Sequence, residues 1–239
     1  PTEMSYDVLD RTVLVKTPIG TETMSEYYLN NNNIVSKVTD AEGHFAETYI
    51  NGSGKTVKTV QYHNNNMINN LFEYDGIGQL ISTTDTEGNK TTSVYDMAGR
   101  RTLISHPASG VTSFTYDAMD NVLTKQTANM GSTEFLKYSY EFNKLMSIEY
   151  PSRPQNNVYY AYGNHRADDG YRGRVTYMED GSGSAKYSYD ELGNIISETR
   201  TVIVPNNGIY TFNTEWNYDS FNRILDMKYP GSNNEAVYY

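Results

Sequence analysis

The stretch Tyr74-Asp75-Gly76-Ile77-Gly78-Gln79-Leu80 is answered by Tyr95-Asp96-Met97-Ala98-Gly99-Arg100-Arg101 and later by Tyr189-Asp190-Glu191-Leu192-Gly193-Asn194-Ile195. Each copy reads tyrosine, aspartate, two variable residues, glycine, a polar residue and then, in two of the three, an apolar one. Working outward, tyrosines recur at Tyr6, Tyr28, Tyr49, Tyr74, Tyr95, Tyr116, Tyr140, Tyr162, Tyr189 and Tyr218, with gaps of 21 to 29 residues. A steady period of this size marks a repeat architecture, in which each unit stacks on its neighbours. The reading is one array of about ten units over residues 1–239.

The residue types say what a unit is. Two positions before the tyrosine stand Phe72, Phe114, Tyr138, Tyr160, Tyr187 and Trp216, and a spacing of two places both rings on one face of a strand. Aspartate follows at Asp7, Asp75, Asp96, Asp117, Asp190 and Asp219, where a short carboxylate accepts from amides a few residues on and starts a turn. Four residues after the tyrosine come Asp10, Asn32, Gly78, Gly99, Asp120, Gly193 and Asn222, the residue types that tolerate a left-handed backbone. A polar residue (Arg11, Arg100, Arg223) and often an aliphatic pair then open the outgoing strand. A second turn signal, as in 40–43 and 85–88, precedes the next tyrosine. One unit is therefore two strands and two tight loops. Three units depart from this pattern. Tyr49 runs into Asn51-Gly52-Ser53-Gly54, one residue long; Tyr140 runs into Glu141-Phe142-Asn143-Lys144, one short; and Tyr162 is followed by a polar stretch, 164–172, before Gly173-Arg174-Val175. The predicted fold class is all-β, a continuous antiparallel series of β-hairpins of about 20 strands in a curved or spiralling sheet.

Composition excludes several functions. A net charge of −10 argues against nucleic acid, whose phosphates select clustered Lys and Arg, and against an anionic membrane surface. No apolar run approaches the roughly 18 residues of a spanning helix, so no membrane insertion is expected. There is no cysteine, hence no disulfide and no thiolate metal site. Tyrosine, at 23 copies against seven Phe and one Trp, makes most of the apolar area from rings with a polar tip.

The Tyr-Asp-x-x-Gly copies resemble the repeat of the Rhs/YD-repeat family. Six Tyr-Asp pairs in register carry the resemblance across essentially the whole chain. It implies a strip of β-hairpins that spirals into a hollow shell, as in bacterial polymorphic toxins, the shells of insecticidal toxin complexes and the animal teneurins. Such a shell encloses a C-terminal toxin or serves as an adhesion scaffold. The expected role is a non-enzymatic shell segment of a larger secreted or surface bacterial protein, partnered by the rest of the same polypeptide. The isolated segment is also expected to pair edge to edge with another copy. The family's self-cleaving core is rich in Asp-Pro, and this sequence contains no Asp-Pro dipeptide.

No catalytic, metal or cofactor site is expected. The residues singled out are structural: Tyr6, Asp7, Tyr74, Asp75, Gly78, Tyr95, Asp96, Gly99, Arg100, Tyr116, Asp117, Tyr189, Asp190, Gly193, Tyr218, Asp219 and Arg223. The densest acidic group, Asp168, Asp169 and Asp180, reads as a solvated loop, and the four histidines (His44, His63, His106, His165) are scattered. The alternative function is a carbohydrate- or cell-surface-binding array, with Tyr210, Phe212 and Trp216 as stacking candidates. Buried anchor rings would mark a wall, and rings lining an open groove a binding surface.

Overall fold

The computed structural model describes residues 1–63, 66–164, 170–231 and 235–239. His165, Asp168, Asp169, the middle of the 164–172 stretch and Asn64-Asn65 lie outside the described residues. The chain divides into two compact units, Pro1–Thr112 and Ser113–Tyr239.

The first unit holds ten strands: β1 (Glu3–Tyr6), β2 (Thr12–Lys16), β3 (Glu22–Asn30), β4 (Asn33–Thr39), β5 (Phe45–Ile50), β6 (Thr56–His63), β7 (Asn66–Tyr74), β8 (Leu80–Thr84), β9 (Lys90–Tyr95) and β10 (Arg101–His106). Each pairs antiparallel with the next in sequence. β11 (Gly110–Tyr116) spans the division. The second unit continues with β12 (Val122–Gln126), β13 (Leu136–Glu141), β14 (Lys144–Glu149), β15 (Val158–Tyr162), β16 (Val175–Asp180), β17 (Gly183–Tyr189), β18 (Ile195–Val204), β19 (Gly208–Tyr218), β20 (Ile224–Lys228) and β21 (Ala236–Tyr238), again paired in sequence order. The one helical element among the described residues is a 3-10 turn, Pro154–Asn156. The fold class is all-β and antiparallel.

The turns set the register. In eight hairpins the ladder slips by one residue at the incoming strand's last aromatic: Tyr6, Tyr74, Tyr95, Tyr116, Tyr140, Tyr162, Tyr189 and Tyr218. In most of them the slip is the bulge that follows a type I turn closed by one left-handed residue. That residue is Gly78, Gly99 and Gly193 (φ 84–86°) or Asp10, Asp120 and Asn222 (φ 57–66°).

Burial is sparse. Among the described residues the buried apolar side chains are Val35, Val60 and Ala185, each mid-strand between two neighbours. Val35 lies in a cross-strand row with Tyr28 on one side and Tyr49 on the other. The other apolar side chains among the described residues are partly covered or exposed. Within each unit, stability rests on hairpin-to-hairpin contacts rather than on a shared centre.

Candidate functional site

The aspartate after each anchor tyrosine organises its own turn. Asp96 Oδ1 accepts from the amides of Ala98 and Arg100, both at 2.9 Å, and Oδ2 accepts from Arg100 Nε at 2.8 Å. Asp7 repeats this with Leu9 and Arg11, and Asp219 with Phe221 and Arg223. At Asp75, Asp117 and Asp190 the fourth residue on is Gln79, Asn121 or Asn194, and Asn121 and Asn194 replace the guanidinium with an amide donor. The main chain closes each loop in the same way, with Asp96 N to Arg100 O and Gly99 N to Asp96 O. The second class of turn uses the same device: Asp40 and Asp85 accept from the amides two and four residues on. These bonds hold the Asp96 carboxyl below its ordinary range, first through the Arg100 amide; for Asp7 the Arg11 side chain leads, and for Asp219 the Arg223 amide.

The tyrosine ties its hairpin to the one before. Tyr74 donates its phenol to the carbonyl of Thr56, Tyr95 to Leu80, Tyr162 to Leu145 and Tyr218 to Ile195, each at 2.9 Å, and Tyr189 to Val175 at 2.6 Å. Every acceptor lies at the start of the preceding outgoing strand. In four cases the residue just before that acceptor is a cation lying over the same ring: Arg11 over Tyr27 (4.1 Å), Lys55 over Tyr74 (5.8 Å), Lys144 over Tyr162 (5.2 Å) and Arg174 over Tyr189 (5.8 Å). One phenol thus grips the preceding loop by its tip and by its face. Burial raises the phenol pKa of Tyr140, Tyr162, Tyr189 and Tyr218.

Three units realise this geometry differently from a plain reading of the period. In the β3–β4 hairpin the ring that reaches back is Tyr27, to Thr12 O at 3.3 Å, and Tyr28 points to Glu47 at 3.0 Å. The cause is a two-residue loop with Asn31 and Asn32 both left-handed, which leaves no bulge to shift the register. In the next hairpin Asn51 is the capping residue, so Ile50 occupies the anchor position, and Tyr49 bonds Glu47 at 2.8 Å. Around Tyr162 the motif is split. Gly163 N bonds Arg174 O, the closure that an aspartate and the residue four positions on make elsewhere, so in sequence nine residues separate Gly163 from Gly173 where two stand in the other copies. Gly173 holds the left-handed position (φ 66°), and Arg174 donates to Gly170 O at 2.8 Å.

The singled-out residues are not brought to one place: each aspartate and glycine serves its own loop, and Tyr74, Tyr95, Tyr189 and Tyr218 each reach the hairpin before their own. Tyr6, the first anchor, is 56% exposed and its phenol donates to Met4 Sδ. Among the described residues no three His, Asp or Glu side chains could hold a metal ion. Tyr210, Phe212 and Trp216 share one face of β19. The first two are each 43% exposed, whereas Trp216 is half-buried opposite Met227. The cations over the rings were missed by sequence reasoning; the signal is a basic residue immediately before an outgoing strand.

Residues 74–111 match the RHS Repeat family. No curated protein matches the sequence. Among solved structures, the crystal structure of TcdB2-TccC3 superposes with a TM-score of 0.64 at 17% identity, over 99% of this chain and 16% of that one. The crystal structure of TcdB2-TccC3-TEV gives 0.63 at 17% identity, over 99% and 15%. The Tc holotoxin pore of Photorhabdus luminescens gives 0.62 at 17% identity, over 99% and 15%. At that identity the likeness is one of fold, and this chain spans about 15% of the length of those chains. The matched stretch, residues 74–111, carries both the aspartate-led turn and the ring that reaches back, and the fold of the chain is like that of the TcdB2-TccC3 structures.

Proposed function

We propose that this chain is a length of wall in a β-hairpin shell, belonging to a large secreted or surface-exported bacterial protein. The wall encloses or presents an attached C-terminal domain, a toxin on this reading, and does no chemistry itself. The observation that carries the proposal is the repeated phenol-to-carbonyl link at Tyr27, Tyr74, Tyr95, Tyr162, Tyr189 and Tyr218. The chain's distinctive side chains are used on its own loops, which is what a scaffold requires. One structurally similar complex is described as TcdB2-TccC3 without its hypervariable C-terminal region, which supports a variable passenger next to such a wall. The partner is accordingly the remainder of the same polypeptide.

Limited proteolysis of the parent polypeptide tests this. The passenger should resist protease while the wall is intact and become cleavable when Tyr74, Tyr95, Tyr189 and Tyr218 are changed together to Phe. Equal cleavage in both would end the shell reading. The second reading, sugar stacking, draws on the exposure of Tyr210 and Phe212 beside Trp216. A glycan array that gives signal with the wild type and none with Trp216→Ala would favour it.

A further inference from the structure

β18 and β19 form the longest hairpin in the second unit, with 10 and 11 residues. They pair without interruption from Ser197 opposite Glu215 to Val204 opposite Gly208. On its other side β19 is met by β20 only from Glu215 to Tyr218. Among the described residues, 208–214 therefore offer a second row of main-chain donors and acceptors with no strand opposite. An open cleft of about 480 Å³ lies alongside, between Thr211, Asn213 and Glu215 on one side and, on the other, Lys228 at the end of β20 and Tyr229, Pro230 and Gly231 after it.

Open edges are usually guarded by lysine, proline, a bulge or shortness. Ile209-Tyr210-Thr211-Phe212-Asn213-Thr214 has none of these: it is uncharged, free of proline and glycine, and unbroken in register. Ile209 is 69% exposed. Alternating β-branched and aromatic residues without charge favour pairing with another strand. The segment is also complementary to itself. An antiparallel pair about a two-fold axis through Thr211 sets Tyr210 of each copy opposite Phe212 of the other, on one face, and Ile209 opposite Asn213 on the other face.

We propose that this edge of β19 is a homotypic docking surface, occupied by the same edge of a second copy of the chain in an isologous antiparallel pair.

The chain has no cysteine, so Thr211→Cys introduces a single thiol on the proposed axis. Directly opposed residues in an antiparallel pair lie roughly 4.5–5.5 Å apart at Cα, within disulfide range. Under mild oxidation Thr211→Cys should form a covalent dimer much faster than Thr133→Cys, which lies in an exposed loop of the same unit. By sedimentation the wild type should dimerise with rising concentration, and Tyr210→Lys should raise the dimer dissociation constant about tenfold or more with its circular dichroism unchanged. A monomer at every concentration, or cross-linking at position 211 no faster than at 133, overturns the proposal. So does a dimer that forms undiminished in Tyr210→Lys, because it must use another surface. None of these results bears on protection of a passenger, so this proposal and the shell reading can fail separately.

Discussion

The hydroxyl of Tyr95 donates to the main-chain carbonyl of Leu80 at 2.9 Å, and so joins the last residue of one hairpin's incoming strand to the first residue of the outgoing strand in the hairpin before it. Tyr95→Phe keeps the ring and removes only that donor. It should cost about 0.5–1.5 kcal/mol, read as a lower urea midpoint with an unchanged slope. Tyr189→Phe, in the other unit, should cost a similar amount, since its phenol makes the same link, to Val175 O at 2.6 Å.

The acidic turns predict how stability depends on pH. The carboxyl pKa values of Asp7, Asp85, Asp96 and Asp219 are lowered by folding, through bonds from Arg11, Asn89, Arg100 and Arg223 respectively. A group whose folded pKa is depressed gives stability that is complete above its unfolded value, about 3.9, and is lost as pH falls through the folded value. Unfolding free energy should thus be flat near neutrality and drop below about pH 4. Asp96→Asn should flatten part of that drop while keeping the turn, since Asn51 makes the same two amide contacts. A drop of the same depth in the variant would show that Asp96 does not contribute.

At high pH the governing group is Tyr49. Burial, then the bond to Glu47, pushes its pKa up to about 12. A raised pKa contributes stability below the unfolded value, about 10, and that stability disappears as pH climbs through the folded one. Ultraviolet titration should show Tyr49 among the late phenols, and Glu47→Gln should bring it earlier by removing the carboxylate.

Much of this was legible in the letters. The period, the aspartate that starts each turn and the left-handed fourth residue are local chemistry, and local chemistry is written in adjacent residues. What stayed hidden depends on register. Nothing in Tyr27-Tyr28 says which ring reaches back; that is decided by a loop of two left-handed asparagines a few residues on. Asn51 hides in the same way, because it caps its turn two residues after Tyr49 rather than one. The grip of Arg174 on Tyr189 and of Arg11 on Tyr27 joins residues in different hairpins, which a repeat motif read one copy at a time does not display. The open edge of β19 is a mismatch in length between neighbouring strands and appears only once both are placed.

Glycine positions should separate backbone strain from crowding. Gly99 has φ 84°, and Gly99→Ala should cost about 1–2 kcal/mol. Gly99→Asn should cost less, since Asn222 already holds that position in its own turn. Gly193→Ala should cost more than Gly99→Ala, because its new methyl group would overlap the Arg174 guanidinium. In a double-mutant cycle Arg174→Ala should recover that excess, and full additivity would refute the crowding explanation.

With so few side chains sealed from water, chiefly Val35, Val60 and Ala185, no central packing puzzle has to be solved anew when the chain changes length. A hairpin added or deleted between existing ones needs only a loop for its phenol to reach and a phenol to reach its own loop. Length becomes a freely adjustable quantity, and a gene of this kind can grow by duplicating short stretches without first passing through an unfoldable ancestor.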